Sequence, residues 1–149
     1  MKHNYILDSL PYTEPFLFVN EILSVSEESI QGSYTFEPDS FFYQGHFKGN
    51  PITPGVILTE CMAQIGLVCF GIYLLKDENI SEKSTIALSA TEIDFFLPVF
   101  PGEKVTVISE KIYFRFQKLK CKVKLVNAKD EIVAKGTISG MILKEKNLK

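Results

Sequence analysis

Arginine is nearly missing from this chain: Arg115 stands alone among 16 cationic residues. A surface that reads phosphates or bases by bidentate contacts uses several guanidinium groups. The formal charge of −2 leaves no basic excess either, which excludes a nucleic-acid binder of the usual kind. Cysteine is sparse, with Cys61, Cys69 and Cys121 and no CxxC pair. An odd count without that spacing reads as buried small hydrophobes in a reducing compartment. Histidine is limited to His3 and His46, and neither shares a metal-ligand spacing with the cysteines, so no metal site is expected. The opening MKHNYILDSLPYTEP has no apolar core after its early lysine; no secretory signal is expected, and the cytoplasm is the default compartment. Low-complexity tracts, internal repeats and linkers are also missing. The 149 residues are expected to form one domain, long enough for a substantial core without disulfides or metal.

One long hydrophobic run stands out. Val56 to Leu75, VILTECMAQIGLVCFGIYLL, carries a single charge, Glu60. That length can cross a bilayer, but a helix apolar on every side also forms the centre of a globular fold. The flanking strand patterns and the charge at Glu60 favour a buried helix ending near Lys76, with no membrane partner. Before it, Phe16–Val25 and Ile30–Phe36 read as strands, and 38–55 reads as a loop rich in proline and glycine. Pro54 and Gly55 open the helix, where proline costs no intrahelical donor.

After the polar connector DENISEKS the pattern turns to β. Thr85–Leu97 and Lys104–Phe116 flank the turn signal PVFPGE. KLKCKVKLV, Lys118–Val126, alternates apolar and lysine residues, the mark of a half-buried antiparallel strand with a charged outer face. NAKDE predicts a hairpin loop, and Ile132–Leu143 a last strand. The expected fold class is α+β, about six mostly antiparallel strands curved around one apolar helix.

The chemistry concentrates in GHFKGNPITPGVILTE, residues 45–60. Glu60 lies four residues before Gln64, so the two share a helix face and the amide can serve the carboxylate. A buried carboxylate needs such partners or a raised pKa. His46 sits in the loop that returns to the helix start, and histidine with a buried carboxylate makes an acid–base pair near neutral pH. The first free amides of the helix, at Gly55 and Val56, are suited to a developing oxyanion. Taken singly, His46 reads more readily as a structural loop residue, and Glu60 reads equally as a satisfied edge carboxylate; their combination carries the functional reading.

GHFKGNPITPGVILTECMAQ resembles the active-site signature of 3-hydroxyacyl-acyl-carrier-protein dehydratases, approximately GHFPGxPxxPGVxxxEAMAQ. PYTEPFLFVNEI resembles the family's PxxxPFLxVDxV, and FFYQGHF and IDFFLPVFPGE extend the likeness over about residues 10–143. The resemblance implies a HotDog fold, a homodimer that can assemble into a trimer of dimers, and a substrate tunnel at the dimer interface. It implies that His46 removes the C2 proton, that Glu60 of the other subunit helps the 3-hydroxyl leave as water, and that the Gly55 amide holds the thioester carbonyl. Pro54, Val56, Phe47 and Gln64 complete the implied substrate-binding set. No cofactor is implied, because the acyl chain arrives on phosphopantetheine, and the implied partner is an acyl carrier protein. Glutamate at position 60 resembles the plain dehydratase branch rather than the branch that also isomerises the double bond.

Three departures bear on that partner. Lys48 replaces the usual proline, PYTEPFL lacks the HR of PHRYPFL, and Asp94, Phe96 and Leu97 stand where many relatives carry basic residues. A carrier dedicated to a specialised lipid, polyketide or polyene pathway fits as well as housekeeping fatty-acid synthesis. Some of Phe41, Phe42, Phe95, Phe96 and Phe100 are expected at an acyl tunnel, and others in the core or dimer interface. The lysine row at 118–124 reads as a solubilising face or as an attractor of an acidic carrier, and Arg115 as a surface ion pair or a phosphate ligand. A HotDog thioesterase and a non-catalytic acyl-binding subunit are the competing functions.

Overall fold

A computed structural model describes residues 3–76 and 84–144. The connector at DENISEKS therefore lies, apart from its last residue, outside the described residues. A short helix α1 (Asn4–Asp8) leads into β1 (Glu21–Val25) and β2 (Ser29–Thr35); a 3₁₀ turn over Phe41–Gln44 follows. The central helix α2 runs from Gly55 to Leu74. It is followed by β3 (Ser84–Phe95), β4 (Lys104–Arg115), β5 (Lys118–Val126) and β6 (Ile132–Lys144). The six strands form one antiparallel sheet in the order β1-β2-β4-β5-β6-β3.

The helix is enclosed as its composition requires. Every residue from Cys61 to Gly71 is buried, and the inward residues of the strands meet them: Ile30, Val107, Leu119, Cys121, Val123, Leu125 and Ile138 are all within 2% of full burial. By length and hydropathy α2 could cross a membrane, but it is mostly buried within the fold. Its middle differs from the uniform α-helix expected. Residues Gln64–Cys69 form a π-helical segment between the α-helical turns Gly55–Ala63 and Phe70–Leu74. Such wider turns need outside partners for the carbonyls they displace, and the buried Ser109 hydroxyl donates to the Gly66 carbonyl at 2.8 Å.

Strand boundaries follow hydrogen bonding more closely than hydrophobicity. The first strand begins at Glu21 rather than Phe16, because the backbone of Phe16 and Phe18 bonds to the Gln64 side chain instead of to a neighbouring strand. β3 stops at Phe95, since the amides of Phe96 and Leu97 both turn to the Val133 carbonyl. β4 ends at Arg115, where Phe116 and Gln117 take positive φ values of 53° and 62°. Positive φ at both central residues is the two-residue hairpin geometry that matches strand twist. β5 spans Lys118–Val126 as the alternation predicts, with Leu119, Cys121, Val123 and Leu125 buried. Its lysine face is less uniform than expected: Lys122 and Lys124 are exposed, but Lys118 and Lys120 are partly covered beside Arg115 and Tyr113 of β4.

The sheet coils tightly around α2, and Gly136 of β6 lies directly against the backbone of β3. A Cβ there would sit 1.9 Å from the Glu92 carbonyl oxygen of β3, so any side chain forces β3 and β6 apart. Gly136→Ala is expected to destabilise the fold by about 1–3 kcal/mol, the usual range for overpacking. Denaturant unfolding, compared at constant m-value, checks this.

Candidate active site

The loop between the 3₁₀ turn and α2 is held at both ends. Tyr43 and Thr53 are buried, and their hydroxyls meet at 2.5 Å. The Thr53 amide donates to the Val99 carbonyl at 2.8 Å, fixing the loop to the PVFPGE turn. Inside this frame His46 is tied to Ile52 twice. The Ile52 amide donates to the His46 carbonyl at 2.8 Å, and Nδ1 of the ring lies 2.9 Å from the Ile52 carbonyl oxygen. A carbonyl only accepts, so Nδ1 carries the proton and Nε2 of the neutral ring keeps its lone pair. Phe47 follows through a cis peptide, stacks on the imidazole at 4.0 Å between centroids and is itself half exposed.

Pro54 caps α2, its carbonyl accepting from the Ile57 and Leu58 amides. The amides of Gly55 and Val56 precede the intrahelical ladder and find no acceptor among the described residues. They carry the positive end of the helix dipole. The Phe95 ring covers this end, 3.4 Å from where a Gly55 Cβ would lie. Glycine at 55 keeps the helix start accessible beside that ring, and Val56 is 77% exposed.

Glu60 is half-buried on the first turns of α2. Burial pushes its carboxyl above the ordinary value of 4.5, and a hydrogen bond from Gln64 pulls part of the way back. That bond runs from Nε2 of Gln64 to Oε2 of Glu60 at 3.0 Å, the i, i+4 contact expected from the sequence. Gln64 itself is fully buried. Its Oε1 accepts from the Phe18 amide at 2.8 Å, and its Nε2 also donates to the Phe16 carbonyl at 3.1 Å. One amide thus joins helix, N-terminal segment and carboxylate.

Tyr12 belongs to the same neighbourhood. Its hydroxyl is pushed up to about 12, first by burial and then by the Glu60 carboxylate. Nothing in the amino-acid pattern singled it out except its place in PYTEPFL, where the family's HR is missing. Tyr43, Thr53 and Ile52, which hold the histidine loop, also went unread; the only sign of them was the aromatic cluster in FFYQGHF. The three thiols are buried, as expected. Burial raises all three, Cys121 to about 11, which keeps them as inert thiols. Among the described residues no three of His, Cys, Asp and Glu cluster to hold a metal.

The expected site residues fall into two groups. Pro54, Gly55, Val56, Glu60 and Gln64 line the start of α2, and His46 and Phe47 project from the preceding loop. Within one chain no hydrogen bond or ion pair joins His46 to Glu60. Of the phenylalanines, Phe42 packs on the core, and Phe41, Phe95, Phe96 and Phe100 are each about half exposed.

A curved antiparallel sheet around a buried helix, with histidine before the helix and glutamate within it, defines a HotDog-type domain. Residues 10–139 match the FabA-like domain, and the chain belongs to that family. It is 36% identical over 105 residues to the 3-hydroxyacyl-[acyl-carrier-protein] dehydratase FabZ of Geobacter metallireducens, covering 70% of this chain and 69% of that protein. FabZ of Chlamydia trachomatis serovar L2 is 30% identical and covers 96% and 93% of the two chains. The bifunctional enzyme LpxC/FabZ of Chlorobaculum tepidum is 31% identical over 97% of this chain, which spans only 30% of that longer protein. Among solved structures, a thioesterase from Haemophilus influenzae superposes with a TM-score of 0.61 at 15% identity, covering 87% and 80% of the two chains. The PaaI protein of E. coli gives 0.61 at 17%, covering 81% of each chain. At that identity both speak for the fold alone.

Two outcomes follow from the Glu60–Gln64 pair. Gln64→Leu strands the Phe16 carbonyl and Phe18 amide and is expected to cost about 2–6 kcal/mol, at about 1–3 kcal/mol per unsatisfied buried group. Chemical denaturation measures it. Glu60→Gln acts in the opposite sense. A carboxyl whose folded pKa lies above its unfolded value penalises the ionised folded state, and that penalty is present above the raised pKa and gone below the unfolded one. The Gln variant is therefore expected to melt at or above the wild-type temperature at neutral pH. The gap should close as the pH falls below the ordinary 4.5; thermal melts across that window decide it.

Proposed function

We propose that this chain is a hydro-lyase that converts 3-hydroxyacyl thioesters, carried on acyl carrier protein, to trans-2-enoyl thioesters in fatty-acid or related lipid synthesis. The observation that carries the reading is the fixed tautomer of His46: with Nδ1 committed to Ile52, Nε2 is an imidazole base on a braced loop. Its acidic counterpart is Glu60, a carboxyl that burial makes more willing to hold a proton. The FabZ dehydratases among the relatives supply the substrate class.

In this reaction Nε2 of His46 takes the C2 proton, and the C2–H electrons become the C2=C3 bond. The C3–O bond breaks, and the leaving hydroxyl takes a proton from Glu60 and departs as water. Passing the proton from His46 back to Glu60 restores both groups, so no cofactor is consumed. The Gly55 amide at the dipole-positive end of α2 holds the thioester carbonyl while negative charge gathers on it. Val56, Phe47, Pro54 and Gln64 frame the acyl chain and the carboxyl.

The site is built from two copies of the chain. β3 is an edge strand of 12 residues with β6 on one side only, and a long unpaired edge invites a further strand. Near it, Leu88, Phe95, Phe96 and Val56 are exposed. An antiparallel pairing of two β3 edges covers these side chains and brings His46 of one protomer to Glu60 of its partner. A homodimer in the cytoplasm, able to assemble further into a trimer of dimers, is the working unit.

His46→Ala and Glu60→Ala are each expected to lower kcat/KM for enoyl formation by about 10²–10⁴, the range for losing a positioned acid or base. The assay follows enoyl absorbance beside a free-thiol readout. Mixing the two inactive variants rebuilds one intact site per mixed dimer and should recover a substantial fraction of activity. Unchanged turnover in either variant defeats the assignment, thiol release without enoyl points to a thioesterase, and failure of complementation defeats the shared site.

A further inference from the structure

The positions that carry basic side chains in the resembled dehydratases are here Asp94, Phe96 and Leu97, so the cations for an acidic carrier must come from elsewhere. Strand register locates candidates beside them. Lys135 of β6 lies opposite Asp94 of β3 on one side and opposite Lys124 of β5 on the other. Lys122 sits two residues along β5 on the same face, opposite Glu110 of β4 and Thr137 of β6. These three lysines, with Asp94, Glu110 and Ile132, border a half-open depression of about 430 Å³ on the outer face of the sheet.

These three side chains are exposed. Among the described residues none of the three is within ion-pair distance of a carboxylate, although Asp94 and Glu110 are close in register. Lys135 instead leans over the Phe96 ring, 5.8 Å from its centroid, which carries its charge toward the segment that lost its basic residues. Lys124 and Lys135 face each other directly, an arrangement that costs stability unless an anion lies between them. The whole chain is acidic, at −2, so this face is a local reversal of sign. Arg115 is not part of it: its guanidinium stacks 4.3 Å over the Tyr113 ring, and among the described residues it makes no ion pair. Lysines, flexible and strongly hydrated, suit a brief and salt-sensitive encounter better than a bidentate lock.

We infer that Lys122, Lys124 and Lys135 form the docking surface for the acidic carrier protein that delivers the acyl chain. The inference rests on the dehydratase reading and adds to it which face of this chain recognises the carrier. Lys135, nearest the Phe96 end of β3, is the anchor, and Lys122 and Lys124 extend the contact across the sheet.

The test compares two substrates bearing the same 3-hydroxyacyl chain, one on a purified acyl carrier protein and one on N-acetylcysteamine. The triple variant Lys122→Glu, Lys124→Glu, Lys135→Glu is expected to raise KM for the carrier substrate about tenfold or more, a loss of about 1.4 kcal/mol. kcat and the N-acetylcysteamine rate should stay at wild-type values. Lys129→Glu, in the exposed β5–β6 loop, controls for net charge and should leave both substrates alone. Added salt should weaken the wild type toward the triple variant. An unchanged carrier KM overturns the inference, as does an equal loss with both substrates in a variant of unchanged melting temperature. If the wild type dehydrates neither substrate, the function has failed rather than the docking. Calorimetric binding of the unacylated holo-carrier then decides: binding lost in the triple variant supports the surface, and no binding by the wild type overturns it.

Discussion

A helix without a polar face persists in water only when something surrounds it, and the rest of this structure follows from that requirement. The run from Cys61 to Gly71 leaves no side to solvent, so the sheet must coil strongly around it, with β3 to β6 each nine residues or longer. The alternating lysines of β5, the paired positive φ values at Phe116 and Gln117, and the glycine at 136 all meet that demand. Burial on this scale also fixes the helix in register, which lets a loop at its N-terminus be placed with accuracy.

Against that background a carboxylate on the helix is an exception that has to be supported. Gln64 supports it. The amide is buried without remainder, and it ties Glu60 to the backbone of Phe16 and Phe18, more than forty residues upstream. The π-helical segment begins at this same residue. Departures from regular helix at a functional position are a familiar way to aim a side chain that ideal geometry would misplace. Under the proposed reading, the cost in stability carried by a raised carboxyl is the common cost of a site prepared for proton transfer.

What could be read from the amino-acid pattern was local. Lys118–Leu125 alternates over its whole length, and the Glu60–Gln64 bond depends only on helical spacing, so both were legible. The loop 45–52 announced its histidine through its glycines and prolines, and the family signature gave it a role. What stayed hidden was set by distant partners. Phe16–Phe18 looks like strand but is claimed by Gln64. The tautomer of His46 is decided by the Ile52 carbonyl, and the Tyr43–Thr53 clamp joins residues whose pairing no periodicity encodes. The lysine face was visible as a row on one strand, but its meeting with Lys135 and Phe96 required the sheet order.

Under the proposed reading the chemistry is divided between two groups that no hydrogen bond or ion pair joins within a single chain. His46 is satisfied by Ile52 and Phe47, Glu60 by Gln64, and each is only partly covered. Under the proposed reading, an acid–base pair left in bulk water would lose the low-dielectric setting that gives it strength. On that reading the remaining cover comes from a second copy, and exposed apolar side chains mark where it would attach. Phe95 already lies over Gly55, and Val56 projects beside it. A second copy across the β3 edge therefore does two things at once under the proposed reading. It buries the aromatic residues that one chain leaves in water, and it closes over the carboxyl and imidazole that one chain leaves apart.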